Sequence, residues 1–492
     1  MFNISLDVKT KQGRDLITSF SMSVNHGDRI GVVGEEGNGK SVFLKSLVNC
    51  PEMRNLKVSR TLHPESIVFG YLGQELSLEE RSQTILEFVL EGSWDRFGDF
   101  VPLFLSMVPM LTERDYDRCM ASLSGGECVR IQLLKLQLLA VDCYVLDEPT
   151  NNLDMNGLIW FEAWMDAQTI PIIFVSHDLE TLRHSANRIL HFEQLHRKTI
   201  SKLTLFEGSY DEYIQNRDRS LSHHNQQVRF QKRFHEKQEA KWQKQYQKVG
   251  HQLQNVNRAD PGLQEKMKNL KAQKNQRLKQ ETLIHRDQEV AIKIESVHQT
   301  TGPLKVVLTF DINQLFIKGR VIGTDYRYTL MSGEKVALVG PNGCGKTTLF
   351  NEIVQSLTGN VGVMHQDYHR NLDVKKNAIE NCIDSSDKET RTTVRYALGG
   401  LNFTSDEMEI PVEYLSGGQK AKISLLKILR TKPDVLLLDE PTRNLSPFSL
   451  MAIYEMLEDY KGAVWCITHD RQLINHVFED VLEMTPKGFI KR

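Results

Sequence analysis

Gly34-Glu35-Glu36-Gly37-Asn38-Gly39-Lys40-Ser41 have the residue types and spacing of a phosphate cradle. They follow the apolar run Ile30-Gly31-Val32-Val33, so GxxxxGK[ST] stands where it must, between a strand and a helix. Glycines there let successive backbone N–H groups curl around a β-phosphate. The lysine reaches the β/γ-phosphates and the hydroxyl ligates Mg²⁺. Gly34, Gly37, Asn38, Gly39, Lys40 and Ser41 are therefore expected to hold a nucleoside triphosphate with its Mg²⁺. Glu35 and Glu36 are odd neighbours for such an anion, and their side chains are expected to point away from it.

The pattern recurs. Lys335-Val336-Ala337-Leu338-Val339 leads into Gly340-Pro341-Asn342-Gly343-Cys344-Gly345-Lys346-Thr347-Thr348. Leu123-Ser124-Gly125-Gly126-Glu127 answers to Leu415-Ser416-Gly417-Gly418-Gln419, and Leu146-Asp147-Glu148-Pro149-Thr150 to Leu438-Asp439-Glu440-Pro441-Thr442. Val175-Ser176-His177-Asp178 answers to Ile467-Thr468-His469-Asp470. The offsets from Ser124 to Asp147 and on to His177 equal those from Ser416 to Asp439 and His469. Four motifs in one order, twice, mean a duplicated domain rather than a short repeat.

Each half resembles the nucleotide-binding domain of an ATP-binding-cassette (ABC) protein, over roughly 1–207 and 290–492. The resemblance implies ATP as ligand and ATP hydrolysis as activity. It implies that Asp147 and Asp439 hold Mg²⁺, that Glu148 and Glu440 orient and deprotonate the attacking water, and that His177 and His469 contact the γ-phosphate. Gln74 and Gln366 match the glutamine of the family's Q-loop, which contacts Mg²⁺ and the water. Ser124, Gly125 and Gly126, like Ser416, Gly417 and Gly418, open a helix whose N-terminal N–H groups favour an anion. The family's arrangement is a head-to-tail sandwich, with Lys40 facing Ser416-Gly417-Gly418 and Lys346 facing Ser124-Gly125-Gly126. The loops after the two Asp-Glu-Pro-Thr segments differ. Asn151-Asn152-Leu153-Asp154 is close to the family pattern, whereas Arg443-Asn444-Leu445-Ser446 has serine where the aspartate belongs. The two sites are expected to be unequal, with coupling through the second loop weakened or rewired.

Between the halves lies a basic, glutamine-rich run. Residues 220–286 hold about fifteen Lys/Arg against about five Asp/Glu, while the whole chain carries a net charge of −2. Ile214, Leu221, Val228, Trp242, Val249 and Val256 fall on one heptad register, with Tyr246 and Leu253 four residues on from Trp242 and Val249. That seam, broken by Asp260-Pro261-Gly262, predicts two antiparallel helices zipped together. A spacer kept soluble by charge would mix Glu with Lys; Lys, Arg, Gln, Asn and His suit phosphates, sugar hydroxyls and base edges. The expected fold is thus α/β: two tandem ABC-type nucleotide-binding domains (1–207 and 290–492) joined by a long antiparallel helical hairpin linker (208–289), with its tip near 250–263.

Charged helical linkers between complete cassettes are the mark of the ABC-F class, which this chain resembles. The Gly208-Ser209-Tyr210-Asp211-Glu212-Tyr213 approach to the linker is similar to that class as well. The resemblance implies a 70S ribosome as partner, with binding near the tRNA exit site and the linker reaching the P-site tRNA and the peptidyl-transferase centre of 23S rRNA. At the tip, His251, Gln252, Gln254, Asn255, Asn257 and Arg258 are the candidate RNA and tRNA contacts. Resistance members of the class dislodge bound antibiotics. That reading is favoured by the short stretch between Gln74 and Ser124, the absence of a basic extension after the second cassette, and the Arg443-Asn444-Leu445-Ser446-Pro447 variant. The alternatives are a housekeeping translation factor of the class and the tandem ATPase subunit of a transporter.

Several classes fit poorly. A chromosome-structure ATPase splits its cassette with a coiled coil, whereas both cassettes here are complete. The iron–sulfur recycling ATPase requires a cysteine-rich N-terminus. The seven cysteines are scattered, with no CxxC pair, and support neither a disulfide framework nor a metal cluster. The N-terminus lacks an apolar signal region, and the proline-interrupted stretch Phe100–Leu111 is too short to span a bilayer. A cytoplasmic monomer, pairing its own two cassettes, with neither membrane nor DNA as partner, is the expectation.

Overall fold

The computed structural model describes residues 1–11, 15–50, 53, 56–195, 200–219, 265, 268, 305–317, 319–357, 359–383 and 387–492. Met1–Tyr210 and Glu289–Arg492 form one compact unit, and Asp211–Gln288 a second. Of the second unit the described residues, 211–219, 265 and 268, are helical. The expected hairpin seam beyond Ile214, its tip, and the candidate contacts His251, Gln252, Gln254, Asn255, Asn257 and Arg258 lie outside the described residues.

The first unit contains two α/β halves of the same topology. In the first, six strands run in the order Phe69–Leu72, Cys143–Asp147, Ile172–Val175, Arg29–Gly34, Arg188–Leu195 and Ile200–Glu207. In the second the order is Val361–Met364, Val435–Asp439, Ala463–Ile467, Lys335–Val339, Asp480–Thr485 and Gly488–Lys491. The first five strands of each sheet are parallel and the last is antiparallel. Parallel strands covered on both faces must be apolar throughout. Cys143–Asp147 and Val435–Asp439 accordingly have no exposed residue.

A smaller antiparallel layer flanks each sheet: three strands in the first half (Asp15–Val24, Phe2–Thr10, Leu56–His63) and two in the second (Val306–Ile317, Arg320–Met331). These strands alternate. Phe2, Ile4, Leu6 and Val8 face the core while Asn3 and Ser5 face out, as a half-buried strand must. In the second half Trp465 fills the equivalent space, edge-on to Phe310 and Phe489. A helical layer carries the signature helices Gly125–Leu138 and Gly417–Arg430. The apolar stretch near Phe100 belongs to it, as the helix Phe97–Met107. There Phe100 and Phe104 pack on Tyr116 with ring centroids 5.1 and 4.9 Å apart.

Register brings the motifs together. Asp147 pairs with Val175 and Asp439 with Ile467, so each carboxylate ends its strand beside the strand whose end is followed, two residues on, by His177 or His469. The phosphate loops leave the neighbouring strands at the same edge. This is the carboxyl end of a parallel sheet, where open α/β folds bind ligands.

The two halves also meet away from these loops. Arg471 opens the helix Arg471–Val477 and reaches Glu162 at 2.5 Å and Asp178 at 2.6 Å in the other half. Gln472 donates to Glu180 alongside. The matching position in the first half is Leu179, so this contact has no counterpart across the pseudo-twofold. Arg471→Met leaves Glu162 and Asp178 largely buried without their cation. It is expected to lower unfolding free energy by roughly 3–5 kcal/mol. Urea unfolding of the full chain measures this; a loss under about 1 kcal/mol would place the pair among exposed bridges.

Candidate functional site

Each phosphate loop turns into its helix through a glycine in the left-handed region, Gly39 at φ 90° and Gly345 at φ 100°. A side chain at Gly345 would also collide with Ile322. This geometry aims the loop amides and the first residues of the helices Lys40–Leu47 and Lys346–Gln355 at one point. Lys40 Nζ donates to the carbonyls of Gly34 and Glu35 at 2.8 and 2.9 Å, and Lys346 Nζ to those of Gly340 and Pro341 at 2.7 and 2.8 Å. Burial pushes the Lys40 ammonium below its ordinary value, opposed by Glu36, Glu148 and Asp147. Both ammonium groups are thus nearly dehydrated and donate their hydrogen bonds to neutral carbonyls, a setting that favours an arriving phosphate.

Ser41 Oγ donates to Asp147 at 3.1 Å, and Thr347 likewise hydrogen-bonds Asp439. Burial, aided in the first case by the Glu148 charge, raises both aspartates to about 6. Asp439 Oδ1 has no hydrogen-bond partner among the described residues. A hydroxyl and a buried carboxylate with a free oxygen suit a hard divalent cation such as Mg²⁺, which takes few protein ligands beside phosphate oxygens and water. Consistent with so sparse a donor set, no cluster of three or more His, Cys, Asp or Glu side chains able to hold a metal occurs among the described residues.

Glu148 and Glu440 adopt φ of 54° and 53°, a region non-glycine residues rarely enter. Their amides donate to Val175 and Ile467 at 3.1 and 2.9 Å, which fixes this turn immediately past the strand ends. The two glutamates differ in surroundings. Glu148 lies 2.9 Å from His177 Nε2 and also accepts from Asn151. Burial would raise its pKa, but His177 and Lys40 reverse that and hold the carboxyl below its usual range. Glu440 stands 3.6 Å from His469 Nε2, beyond a hydrogen bond. Burial and the Asp439 charge push it up to about 8, while burial and Lys346 bring His469 down to about 4.

The halves face each other head to tail. One cavity, of about 510 Å³, has Lys346, Thr347, Thr348 and Gln366 on one wall and Ser124 and Gly125 on the other. The other, of about 870 Å³, sets Lys40, Ser41 and Gln74 against Ser416, Gly417 and Gly418. Gly37, Asn38 and Gly39 line the latter, and Asn342, Gly343 and Gly345 the former. Gly34 and Gly340 pack behind the loops against Phe192 and Met484, with Cys344 Sγ near Gly340. Gly126 lies behind the first signature, near Leu153. The signature serines cap their helices: Ser124 exchanges hydrogen bonds with Glu127, and Ser416 with Gln419.

Sequence reasoning left several seam residues without named partners. Asp154 accepts from the Asn342 amide at 3.0 Å, and Asn152 O accepts from Asn342 Nδ2 at 3.0 Å. Glu36 and Glu35 do turn from the phosphate position, into the facing half. Glu36 accepts from Lys422 Nζ at 3.0 Å and from the Ser446 amide at 2.5 Å, and Glu35 from Asn402 Nδ2 at 2.7 Å. Aligning the two copies would have flagged Glu36 against Asn342 and Ser446 against Asp154 as a paired exchange.

With this geometry in view, comparison with known proteins is decisive. The profile described as "ABC transporter" matches residues 17–151 and 324–443, the two halves in tandem. The chain belongs to the ABC transporter family. Two similar proteins of Arabidopsis thaliana carry an F-family name. "ABC transporter F family member 5" of Arabidopsis thaliana is 26% identical over 97% of this chain and 74% of its own length. "Putative ATP-binding protein YdiF" of Bacillus subtilis is 26% identical over 96% of this chain and 78% of its own. Among solved structures, the complex of archaeal ribosomal stalk protein aP1 with the archaeal ribosome recycling factor aABCE1 has a similar chain. Its TM-score is 0.58 at 16% identity, over 96% of this chain and 87% of that one, a likeness of fold. ABC domains bind and hydrolyse ATP, typically with Mg²⁺. Among the described residues no helix is long and apolar enough to cross a membrane.

The opposite surroundings of the two glutamates have a measurable consequence in the nucleotide-free ABC protein. A carboxyl raised in the folded state keeps its proton there and releases it on unfolding. Between the ordinary 4.5 and about 8, stability therefore falls as pH rises. Glu440→Gln removes that loss. Its unfolding midpoint should exceed the parent's by a few °C at about pH 8, with the gain shrinking toward pH 5. Glu148→Gln, replacing a carboxyl lowered by His177, should bring no such gain. Matching pH profiles for the two variants would contradict the assignment.

Proposed function

We propose that this ABC protein is an ATP-dependent ribosome-binding ATPase of the ABC-F type. On this reading closure of its two cassettes drives a basic linker toward the P-site tRNA and the peptidyl-transferase centre, entering near the tRNA exit site. The observation that carries the reading is the combination of two complete cassettes facing head to tail with a cationic, glutamine-rich segment inserted between them. The F-family relatives matched along almost the whole chain support it, and the fold shared with a ribosome recycling factor adds an analogy. A chain of net charge −2 gains little from overall attraction to RNA, so the linker's local excess of Lys and Arg must supply the phosphate contacts.

In each cassette the residues take the following parts. Lys40 and Lys346, with the amides of Gly37–Gly39 and Gly343–Gly345, hold the β- and γ-phosphates. Ser41 with Asp147, and Thr347 with Asp439, hold Mg²⁺, and Gln74 and Gln366 complete each site. Mg²⁺, when bound, neutralises charge on the phosphates. Glu148 and Glu440, held in position by their left-handed backbone, orient the attacking water and accept its proton, Glu440 only once its own carboxyl, pushed up to about 8 without nucleotide, has ionised. His177 and His469 face the γ-phosphate. Phosphoryl transfer asks mainly for positioning and charge neutralisation, which this constellation supplies. The signature helix of the facing half adds its N-terminal amides to the γ-phosphate, so ATP draws the halves together and hydrolysis releases them.

Glu148→Gln with Glu440→Gln traps such a sandwich. Affinity capture of the double variant from a bacterial lysate with ATP should recover 70S ribosomes in preference to the parent chain. Recovery of permease subunits, or of DNA, would instead assign a transporter or a DNA role.

The finer reading is antibiotic resistance by ribosome protection, with the P-site tRNA moved and the drug released from the peptidyl-transferase centre. Expression in a susceptible bacterium should raise the inhibitory concentration of lincosamides, pleuromutilins or group A streptogramins at least about fourfold, a differential of about 0.8 kcal/mol. Replacing residues 250–263 by a Gly-Ser loop should abolish that gain and leave ATPase activity intact. No shift with any of the three drugs assigns the protein to a housekeeping role in translation.

A further inference from the structure

We propose that Glu36 is a positioning residue that locks the first phosphate loop onto the facing signature helix, carrying on that seam the contact that Asp154 makes on the other. The inference needs only nucleotide binding by the cassettes and is independent of the ribosomal destination.

The two seams are related by exchange of one carboxylate. On the second, Asp154 lies in the loop after the Asp-Glu-Pro-Thr segment. It caps the helix Met155–Ala167 through the Gly157 amide at 2.9 Å and accepts from the Asn342 amide of the opposing phosphate loop at 3.0 Å. On the first, that loop has Ser446, which caps the helix Pro447–Asp459 but brings no charge. The position matching Asn342 is Glu36. Its carboxylate crosses the seam in the opposite direction, taking the Ser446 amide at 2.5 Å and the Ser449 hydroxyl at 3.4 Å.

A third exchange completes the device. Arg130, on the first signature helix, stays within its own half. It donates to Met107 O at 2.9 Å and lies 3.9 Å from the Trp160 ring centroid. Its counterpart Lys422 reaches Glu36 at 3.0 Å. The Glu36 and Lys422 side chains are 5% and 6% exposed, so water contributes little and neither charge is tolerable there alone. Burial would raise the Glu36 pKa, but Lys422, the Ser446 amide and Lys40 hold it near 2.

Placement gives the pair its effect. Glu36 lies four residues before Lys40 and packs on signature Gly418, where a Cβ would meet Glu36 Cγ and Asn444 O at 2.5 Å. Gly126, its counterpart, would meet only Leu153 at 3.8 Å. On the first seam the phosphate loop and the opposing signature are therefore joined side chain to helix. On the second the same elements meet through one loop. The first nucleotide site is the more preorganised of the two.

The test exchanges the carboxylate back. Binding of a fluorescent mant-ATP is titrated in the full chain with Lys346→Ala present, so that the probe reports the first site. Glu36→Gln should weaken binding about tenfold or more. Ser446→Asp alone, which sets a second carboxylate against Glu36, should weaken it similarly. The combination Glu36→Asn with Ser446→Asp recreates the second seam's arrangement and keeps a carboxylate before Lys422. It should return affinity to within about threefold of the parent, a coupling a mere loss of packing would not show. Circular dichroism melts identify any variant that fails to fold, and the exchange variant decides the matter in that case. Tolerance of Ser446→Asp, or a folded exchange variant no tighter than Glu36→Gln, overturns the proposal.

Discussion

Neither phosphate loop can be completed by its own cassette. A P-loop presents amides and an ammonium from one side only, and the helix terminus able to close the other side belongs to the facing half. Here Lys40 looks toward Ser416-Gly417-Gly418 and Lys346 toward Ser124-Gly125. The parallel strands that deliver Asp147, Glu148 and His177 to one edge serve this constraint. So do the signature helices, whose first turns lie at the seam.

Duplication made this possible and divergence made it unequal. The copies share strand order, loop glycines and the rare backbone conformation of Glu148 and Glu440. They differ in what surrounds those features. One glutamate is hydrogen-bonded to its histidine ring and held below the usual carboxylate range; the other lies beyond reach of its imidazole and is pushed up to about 8. The carboxylate that ties loop to loop lies on one side of the first seam and the opposite side of the second. Arg471 adds a contact to Glu162 and to Asp178, which lines the second nucleotide cavity. The buried ion pairs that Glu36 and Arg471 make between the halves have no counterpart at the matching positions Asn342 and Leu179.

Burial is what gives these differences weight. The Glu36–Lys422 pair and the Arg471 cluster lie almost out of water, where removing one partner strands the other. Exposed pairs such as Arg327–Asp311 contribute little by comparison. The family's chemistry uses short-range groups at the strand ends. Around them, the halves are joined by a few dehydrated charges.

What the sequence by itself determined was whatever depends on neighbours in the chain. Apolar strand, glycine turn and helix N-terminus are consecutive in Ile30–Leu47 and again in Lys335–Gln355, so both phosphate loops, their lysines and their Mg²⁺ hydroxyls were legible. The same holds for Ser124 and Ser416, and for the acidic pairs that close the strands Cys143–Asp147 and Val435–Asp439. The departure at Ser446 was visible as an anomaly, and so were Glu35 and Glu36, but their meaning was not. Glu36 and Ser446 are 410 positions apart. Only the closed pair of cassettes brings them together and sets Lys422 beside them. The protonation of Glu440 and the bridge from Arg471 have the same character. Both depend on burial and on charges supplied by remote elements, quantities that spacing along a chain does not encode and that packing alone creates.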